Sequence, residues 1–335
     1  MIFSVEQQLS EESTFSELSQ WYFDFIAPRT LKEHTVFNNH MLMKNYVIPY
    51  IGDLPVREIT PVLIDELLSF LPGSGAIRKC SLTATTVQQI RIVLSSIFQT
   101  AVRKEILGRN PVTLSTKIRC QKKERIFLDE NSCRKVLFLC DSLANPQIAN
   151  AIRLLLYTGM RRGELIGLQW SDVNFSMNEL YVRRTISQFD GRYVVTTPKT
   201  ASSSRTINLC PSAVDLLKDQ MRIFKREYNV SLRTDGDSPV FFSKNGACLS
   251  GAYLNNCFRR MMADAGMPGY HLHDLRHANA SILINNGVPM KIVSSHLGHS
   301  SSAVTEVFYT HLFQNSLQIT ADVIEKRMTQ DSLTK

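Results

Sequence analysis

The sequence predicts a mainly α-helical protein with two domains, the second of which carries a small three-stranded β-ribbon among its helices. Three observations lead to this prediction. The chain has 335 residues, more than one average domain contains. Apolar residues recur at helical spacing along most of it. Short runs rich in β-branched and aromatic residues lie within residues 178–209. The second domain is therefore expected to be mixed α/β, but mostly α.

The first domain is predicted over residues 14–116, after a flexible N-terminus of residues 1–13. Its first helix should begin near Thr14, with Thr14 or Ser13 as the cap, because a threonine followed three residues later by Glu17 is typical of a capping box. Pro28 is expected to end that helix, since proline lacks the backbone N–H that a helix interior uses. Further helices are predicted over residues 30–47, 61–71 and 83–107.

A basic segment, KIRCQKKER, separates the two predicted domains at residues 117–125 and carries five basic residues against one acidic residue. Such a run is often no more than a solvated segment. Its position between two domains makes a linker that contacts DNA an equal alternative. The candidate contact residues are Lys117, Arg119, Lys122, Lys123 and Arg125.

The second domain is predicted over residues 126–335. Its first two helices should be followed by a glycine turn and another helix within residues 158–173. The β-ribbon is predicted from three strands, 178–186, 192–197 and 205–209. The predicted helices are 129–141, 146–157, 211–226, 249–265, 273–286, 289–297, 301–309 and 313–328.

The net charge of +8 and the pI near 9.1 point to a polyanionic partner. Nucleic acid is the first candidate and an acidic membrane surface the second. No apolar run approaches the ~18 residues that a membrane span needs, and the N-terminus lacks the pattern of a signal peptide. The seven cysteines are dispersed and include no CxxC pair. We therefore expect reduced thiols in a cytoplasmic protein.

Six of the eight histidines fall between Tyr270 and His311, in a stretch that also contains an arginine and several hydroxyl groups. Proton carriers around an arginine and a phenol suggest chemistry on a phosphate, and the alternatives are a metal site or scattered surface histidines. We disfavour zinc, because the stretch contains no cysteine and the chain has no HExxH motif. No phosphate-binding glycine loop or serine-hydrolase elbow occurs either. We expect neither a metal nor a cofactor.

Two shorter motifs offer side chains to an anion. In TGMRRGEL, Gly159 allows a tight turn from which Arg161 should emerge at a helix start, with Arg162 as its rival. Glu164 lies three residues after Arg161 and could orient its guanidinium from behind. Basic helix starts are common, so the motif is weak by itself.

In HDLRH, helical periodicity places Arg276 and His277 within 60° of His273, on either side of it. We therefore expect an edge of arginine and histidine that faces away from the apolar side of this helix. In SSHLGHSS, His299 lies at a turn, where a histidine is more often simply exposed. Tyr309 follows near the end of a short helix, where a tyrosine is more often part of the core.

Six residues in this order resemble the active site of the tyrosine recombinases, the phage integrase family. They are Arg161 in TGMRRGEL, Lys199 in TPKTASSSRTI, His273 and Arg276 in HDLRH, His299 in LGHSS and Tyr309 in FYTH. The likeness extends to the first domain, with IGDLPVREIT before a helix and GRNPV after one. It implies a core-DNA-binding, SAM-like domain at 14–116 and a catalytic domain at 126–335. The separate N-terminal arm-site domain of some integrases is expected to be absent or reduced to residues 1–13.

The resemblance also implies a mechanism, in which Tyr309 attacks a DNA phosphodiester and forms a 3′-phosphotyrosyl bond while a 5′-hydroxyl leaves. A phenol with a pKa of ~10 needs a proton acceptor at neutral pH, and His273 is the candidate. Arg161 and Arg276 would clamp the non-bridging oxygens, and His299 would add a donor. Lys199 would protonate the leaving oxygen.

The implied partner is double-stranded DNA, held between the two domains and exchanged within a homotetramer. The apolar tail after Tyr309 could dock on a neighbouring protomer or pack back on its own domain. Accessory DNA-bending or directionality factors are further candidate partners. The favoured role is integration or excision of a phage or mobile element. The alternatives are a resolvase of chromosome or plasmid dimers, a type IB topoisomerase, and a DNA-binding relative without catalysis.

Overall fold

The computed structural model describes residues 9–74, 82–116, 128–189, 192–196, 204–227 and 238–298. The chain divides into two compact units, residues 1–124 and 125–335, each with its own hydrophobic core. Helices dominate, with a few short antiparallel strands in the second unit, so the predicted fold class is confirmed. Within the described ranges, we find no helix long and apolar enough to cross a membrane.

The regular elements of the first unit are helices over its described residues. Thr14 caps its first helix as predicted, because its hydroxyl accepts from the Glu17 N–H while the Glu17 carboxylate accepts from the Thr14 N–H. The α-helices are α1 (Phe15–Trp21), α2 (Ala27–Thr30), α3 (Glu33–Tyr46), α4 (Ile48–Ile51), α5 (Pro61–Ser74), α6 (Ala84–Arg103) and α7 (Pro111–Leu114), with a 3-10 turn at Val56–Glu58.

The first helix does not end before Pro28, contrary to the expectation. A π-helical segment, Tyr22–Ile26, joins α1 to α2, and the helical path continues through the proline to Thr30. In this segment the Ala27 N–H reaches back five residues to the Tyr22 carbonyl. The wider turn moves Pro28 to the start of a new α-helical turn, where a missing N–H costs little.

The core of the first unit is organised around α6. One face of this helix is buried over its whole length, and Phe98 stacks on Phe15 of α1 with ring centroids 5.6 Å apart. Ile90 and Leu94 on the same face are fully buried. The predicted apolar spacing of this helix is therefore its packing surface.

The second unit begins with helices, continues through strands and returns to helices. The α-helices are α8 (Glu130–Asp141), α9 (Pro146–Thr158), α10 (Arg162–Ile166), α11 (Pro211–Glu227), α12 (Gly251–Asp264), α13 (Leu272–Asn285) and α14 (Met290–Leu297), with a 3-10 turn at Trp170–Asp172. The strands are β1 (Val173–Asn174), β2 (Glu179–Val182), β3 (Thr185–Phe189), β4 (Arg192–Thr196) and β5 (Arg205–Asn208). The predicted helices 301–309 and 313–328 lie outside the described residues.

The strands do not form the single three-stranded ribbon that the sequence predicts. They form a sheet in the order β1-β2-β5 and a separate β3-β4 hairpin, all antiparallel. The predicted strand 178–186 is interrupted at Arg183 and Arg184, whose side chains both reach the buried carboxylate of Asp172. Two neighbouring arginines cannot point to one carboxylate and keep the alternation of a regular strand. The chain therefore leaves one sheet and starts the other.

Helix α9 is the centre of the second unit and packs against α8, α11, α12 and α13. Most of its residues are buried, as expected for a helix that is covered on several sides. Its neighbours contribute Phe258 from α12 and Leu275 from α13, both fully buried. This packing fixes where the C-terminal end of α9 lies, and that end leads directly into the candidate active site.

Candidate active site

The link between α9 and α10 places Arg161 at the start of a helix, as the sequence predicted. Gly159 has a φ of 63° in the left-handed region and ends α9, and Arg161 is the residue that caps α10. A Cβ on Gly159 would lie 2.7 Å from the Asn279 side-chain oxygen. Position 159 therefore favours glycine for two reasons, the left-handed backbone conformation and the close approach of α13.

Glu164 makes the contact with Arg161 that its spacing suggested. Its Oε1 accepts from Arg161 Nη1 at 2.8 Å, and its Oε2 accepts from the Arg161 backbone N–H at 2.9 Å. The Glu164 side chain is only 3 % exposed, while 38 % of the Arg161 side chain is exposed. Glu164 thus holds the guanidinium from behind, and Arg161 keeps a surface that can reach a ligand.

A second arginine, which no motif in the sequence indicates, binds the same carboxylate. Arg205, at the start of β5, donates from Nη2 to Glu164 Oε2 at 2.9 Å and from Nη1 to Oε1 at 3.2 Å. Its side chain is 5 % exposed. Burial by itself raises the pKa of Glu164, but the hydrogen bond and charge of Arg205, followed by those of Arg161, bring this pKa below its ordinary value. Glu164 is therefore a carboxylate shared by two arginines.

Helix α13 carries His273, Arg276 and His277 on the edge that the periodicity places away from its apolar side, and two of these three side chains are buried. Arg276 is 3 % exposed and His277 is 8 % exposed, whereas His273 is exposed. The His273 and His277 rings meet edge to face with centroids 4.9 Å apart. Helical spacing gives the relative directions of these side chains, but neighbouring α9 and α14 decide which directions are covered.

Three arginines converge on the C-terminal end of α14. Arg205 Nε donates to the His296 carbonyl at 2.7 Å, Arg276 Nη2 to the Leu297 carbonyl at 2.6 Å, and Arg161 Nη2 to the Gly298 carbonyl at 3.1 Å. The last carbonyls of a helix have no partner within the helix and carry partial negative charge. Three guanidiniums from three elements therefore hold three consecutive carbonyls, immediately before His299.

Two side chains of helix α13 also donate hydrogen bonds to carbonyls at the C-terminal end of α9. Arg276 Nη1 donates to the Gly159 carbonyl at 2.8 Å, and the amide nitrogen of Asn279 donates to the Leu156 and Tyr157 carbonyls at 2.9 and 3.2 Å. Both side chains satisfy carbonyls at a helix end. The same two residues thereby connect the turn at Gly159 to α14.

His296, on α14, contacts the same asparagine of α13: its Nε2 lies 3.2 Å from the Asn279 side-chain oxygen. Burial first, and then the charges of Arg205 and Arg276, lower the pKa of His296 from 6.5 to about 4. The ring is therefore neutral at pH 7. It acts as a hydrogen-bonding part of the scaffold.

The other predicted site residues lie outside the described residues. They are Lys199, His299, Tyr309 and the basic segment Lys117, Arg119, Lys122, Lys123 and Arg125, together with the tail after Tyr309. Over the ranges that the structure covers, no group of three histidine, cysteine, aspartate or glutamate side chains is placed to hold a metal ion.

Two further residues of the arrangement, Arg205 and Asn279, could not be selected from the sequence. Arg205 opens a short strand after a polar loop, where an arginine is unremarkable. Asn279 lies three residues after Arg276, so a polar residue on the Arg276 side of α13 was the available signal. Its partners at the end of α9 come from a distant part of the chain.

Residues 127–316 match the model of the phage integrase family, and residues 14–71 match the phage integrase N-terminal SAM-like domain. The first match alone covers more than half of the chain. The chain belongs to the phage integrase family. It is a site-specific tyrosine recombinase, as the sequence resemblance indicated.

Curated relatives of this family member include integrases and Xer-type recombinases. It is 27 % identical over 291 residues to the ICEBs1 integrase of Bacillus subtilis strain 168, a match that covers 86 % of this chain and 76 % of the relative. It is 29 % identical over 247 residues to a XerC-like tyrosine recombinase of Caldanaerobacter subterraneus, covering 69 % of this chain and 63 % of the relative.

Solved structures of the family share the fold. The Tn1549 transposon integrase in complex with a circular intermediate DNA superposes with a TM-score of 0.76 at 21 % identity, covering 93 % of this chain and 100 % of the other. A lambda integrase tetramer bound to a Holliday junction superposes with a TM-score of 0.65 at 21 % identity, covering 87 % and 79 %. At this identity the likeness concerns the fold alone.

Proposed function

We propose that this recombinase cleaves and rejoins double-stranded DNA through a 3′-phosphotyrosyl bond to Tyr309, and that it integrates or excises a mobile genetic element. The integrase relatives support the role in element mobility. Arg161, Lys199, His273, Arg276, His299 and Tyr309 are the proposed catalytic residues, and Glu164 is a positioning residue for Arg161.

The observation that carries this proposal is the convergence of Arg161 and Arg276 beside the turn that precedes His299. The two guanidiniums come from different helices and hold neighbouring carbonyls, Gly298 and Leu297. Fixed guanidiniums next to an exposed histidine, His273, suit a phosphodiester, whose two non-bridging oxygens each need a donor. Arg161 is the more exposed of the two, which supports its role as the first contact for the DNA phosphate.

The chemistry balances within the DNA and the protein. The Tyr309 oxygen attacks phosphorus, the bond from phosphorus to the 5′-oxygen breaks, and the phenolic proton passes to His273. Lys199 gives a proton to the leaving 5′-oxygen. In the second step a 5′-hydroxyl of the partner strand attacks the same phosphorus and gives its proton to Lys199, while the bond from phosphorus to Tyr309 breaks and His273 returns the phenolic proton. One phosphodiester is exchanged for another, so the sequence of steps needs no ATP.

DNA binding is proposed to involve many phosphate contacts, including those from the five basic residues of segment 117–125. Each phosphate contact releases condensed counterions. A plot of the logarithm of the binding constant against the logarithm of the salt concentration should therefore be a straight line, and each contact should contribute about −0.9 to its slope. We further propose that strand exchange takes place in a tetramer joined through the tail after Tyr309. The lambda integrase tetramer supports this assembly by its fold.

The test is a set of nicked suicide duplexes that tile the DNA on both sides of the gene. Wild-type protein is expected to form a covalent protein–DNA adduct on one of them, and Tyr309→Phe is expected to form none. Tyr253→Phe, which removes the hydroxyl of an exposed tyrosine in the same unit, is the matched control and should form the adduct.

The polarity of the bond is read on the released strand. A 5′-hydroxyl end accepts label from polynucleotide kinase without prior dephosphorylation, and this is the expected result. A released strand that requires phosphatase treatment first would indicate the opposite polarity. An adduct that persists in Tyr309→Phe would show that the nucleophile is another residue.

Resolution of chromosome or plasmid dimers is the second candidate, favoured by the Xer-type relatives at 29 % identity. The two roles differ in the sites that recombine. A resolvase acts on two identical sites within one dimeric circle, whereas an integrase joins the ends of its element to a different target sequence. Sequencing the junctions formed in cells that carry the gene distinguishes them.

A further inference from the structure

Arg205 lies behind the proposed phosphate site and contacts both of its halves. Its two Nη atoms hold the Glu164 carboxylate, and its Nε donates to the His296 carbonyl at 2.7 Å. Glu164 in turn holds Arg161 at 2.8 Å. A single guanidinium therefore connects the start of α10 to the end of α14.

The fit around Arg205 is tight. Gly298 has a φ of 66°, and a Cβ at this position would lie 2.8 Å from Arg205 Nη1 and 3.1 Å from its Cδ. The Arg205 side chain is 5 % exposed, and all three of its nitrogens donate to Glu164 or to the His296 carbonyl. The planar guanidinium of Arg205 occupies the space that a side chain at position 298 would need.

We propose that Arg205 is a positioning residue for catalysis: by holding Glu164 and the His296 carbonyl together, it keeps the Arg161 guanidinium in register with the turn that leads to His299. This inference rests on the proposed function for its catalytic consequence. Arg205 itself touches no substrate. Its effect passes through two contacts, one to the residue behind Arg161 and one to the backbone of the turn.

A lysine cannot replace Arg205, although it keeps the charge. An ammonium group has its donors on one atom, whereas the Arg205 donors lie on three nitrogens that point to two different elements. Arg205→Lys should therefore leave either Glu164 or the His296 carbonyl without its partner. A shift of about 1 Å in the position of a catalytic group can reduce a rate by about 10²-fold.

A second arginine in the same unit provides a matched control. Arg184 forms an ion pair with the buried carboxylate of Asp172 and donates to the Gly167 carbonyl at the other end of α10. Arg184→Lys therefore disturbs an arginine pair with a buried carboxylate beside the C-terminal end of α10, without touching Arg161, Glu164 or the turn at 296–298. Comparing this variant with Arg205→Lys distinguishes a general loss of stability from a displacement of Arg161 relative to the turn at 296–298.

The first readout is hydrogen exchange in the free protein, which needs no DNA. Arg205→Lys is expected to exchange faster than wild type in peptides that cover residues 158–167 and 290–298, while Arg184→Lys keeps wild-type exchange over 290–298. Equal exchange over 290–298 in Arg205→Lys and wild type overturns the inference, whatever the cleavage assay gives.

The second readout is single-turnover adduct formation on the suicide duplex with protein in excess, together with DNA affinity at one salt concentration. Arg205→Lys is expected to bind within about twofold of wild type, since it makes no phosphate contact, but to cleave about 10²-fold more slowly. Arg184→Lys should cleave within about threefold of wild type. Wild-type rates in Arg205→Lys, or an equal loss in both variants, overturn the positioning role. A wild-type protein that forms no adduct counts against the proposed function, and the exchange readout still decides the place of Arg205.

Discussion

Asn279 and His296 face each other across α13 and α14, with the Asn279 side-chain oxygen 3.2 Å from His296 Nε2. The amide nitrogen of Asn279 donates to two carbonyls at the end of α9. Its oxygen must therefore be the atom that faces the histidine, and His296 Nε2 carries the proton. This pair joins the helix before Arg161 to the helix before His299.

The first prediction concerns acid stability. The pKa of His296 is about 4 in the folded protein and 6.5 in the reference state. The folded state thus binds fewer protons than the unfolded state between these values, and stability is lost as the pH falls from 6.5 towards 4. A shift of this size corresponds to about 3 kcal/mol. His296→Gln should lose less stability over this range than the wild type.

Urea denaturation measures this effect in a Trp21→Phe background, where Trp170 fluorescence reports on the second unit alone. At pH 8 the imidazole is neutral in both states, so the difference between the two proteins there reports only the lost contacts. The difference at pH 5 minus the difference at pH 8 isolates the titration of His296. If both proteins lose the same free energy of unfolding between pH 8 and pH 5, His296 is not a buried neutral imidazole.

The second prediction concerns Glu164, whose carboxylate is shared by Arg161 and Arg205. Glu164→Gln should destabilise the second unit by about 3 kcal/mol at pH 7, because two buried or half-buried guanidiniums lose their common anion. The pKa of Glu164 is lowered in the folded state, so its contribution is present above the unfolded pKa and is lost as the pH falls through the folded pKa. The glutamine variant should therefore depend less on pH in this acid range.

Asp172→Asn is the matched control for Glu164→Gln, because Asp172 is also a buried carboxylate between two arginines. Both variants should lose stability, but adduct formation should slow by about 10²-fold only in Glu164→Gln. A comparable slowing in both would assign the effect to general destabilisation.

The third prediction concerns Arg276, which uses two separate nitrogens for the Gly159 and Leu297 carbonyls. Arg276→Lys cannot keep both contacts and should lower the free energy of unfolding by about 2 kcal/mol. Adduct formation should slow by about 10²–10³-fold, as expected when a fixed donor to a reacting phosphate is lost. Arg134→Lys, which alters an exposed pair with Glu130, should change stability by less than about 1 kcal/mol and leave the rate unchanged.

The fourth prediction separates backbone strain from crowding at Gly159. A Cβ there would meet Asn279 Oδ1 at 2.7 Å and Leu297 Cδ2 at 2.8 Å, whereas Gly266, with a similar φ of 72°, has no atom within 4 Å of an added Cβ. Gly266→Ala should cost about 1 kcal/mol from the left-handed backbone alone. Gly159→Ala should cost clearly more, about 3 kcal/mol, because α13 and α14 must also move. Similar losses in the two variants would mean that α13 does not approach closely.

Much of the local structure could be predicted, because it depends on residues close together in the chain. The capping box at Thr14, the buried face of α6 and the turn from Gly159 to Arg161 each depend on neighbours within one or two helical turns. The contact between Arg161 and Glu164 has the same origin. The division of the strands into two sheets was not predictable in this way, since it depends on Arg183 and Arg184 reaching Asp172.

The sequence by itself determined the helical class, the family and the order of its candidate catalytic residues, because periodicity and short motifs are local properties. Only the tertiary structure decided that Arg276 is buried, that Arg205 shares Glu164 with Arg161, and that three arginines hold the consecutive carbonyls of residues 296–298. These relationships join β5, α10, α13 and α14. Their physical reason is that a helix end leaves carbonyls without partners, and only packing determines which distant side chains reach them.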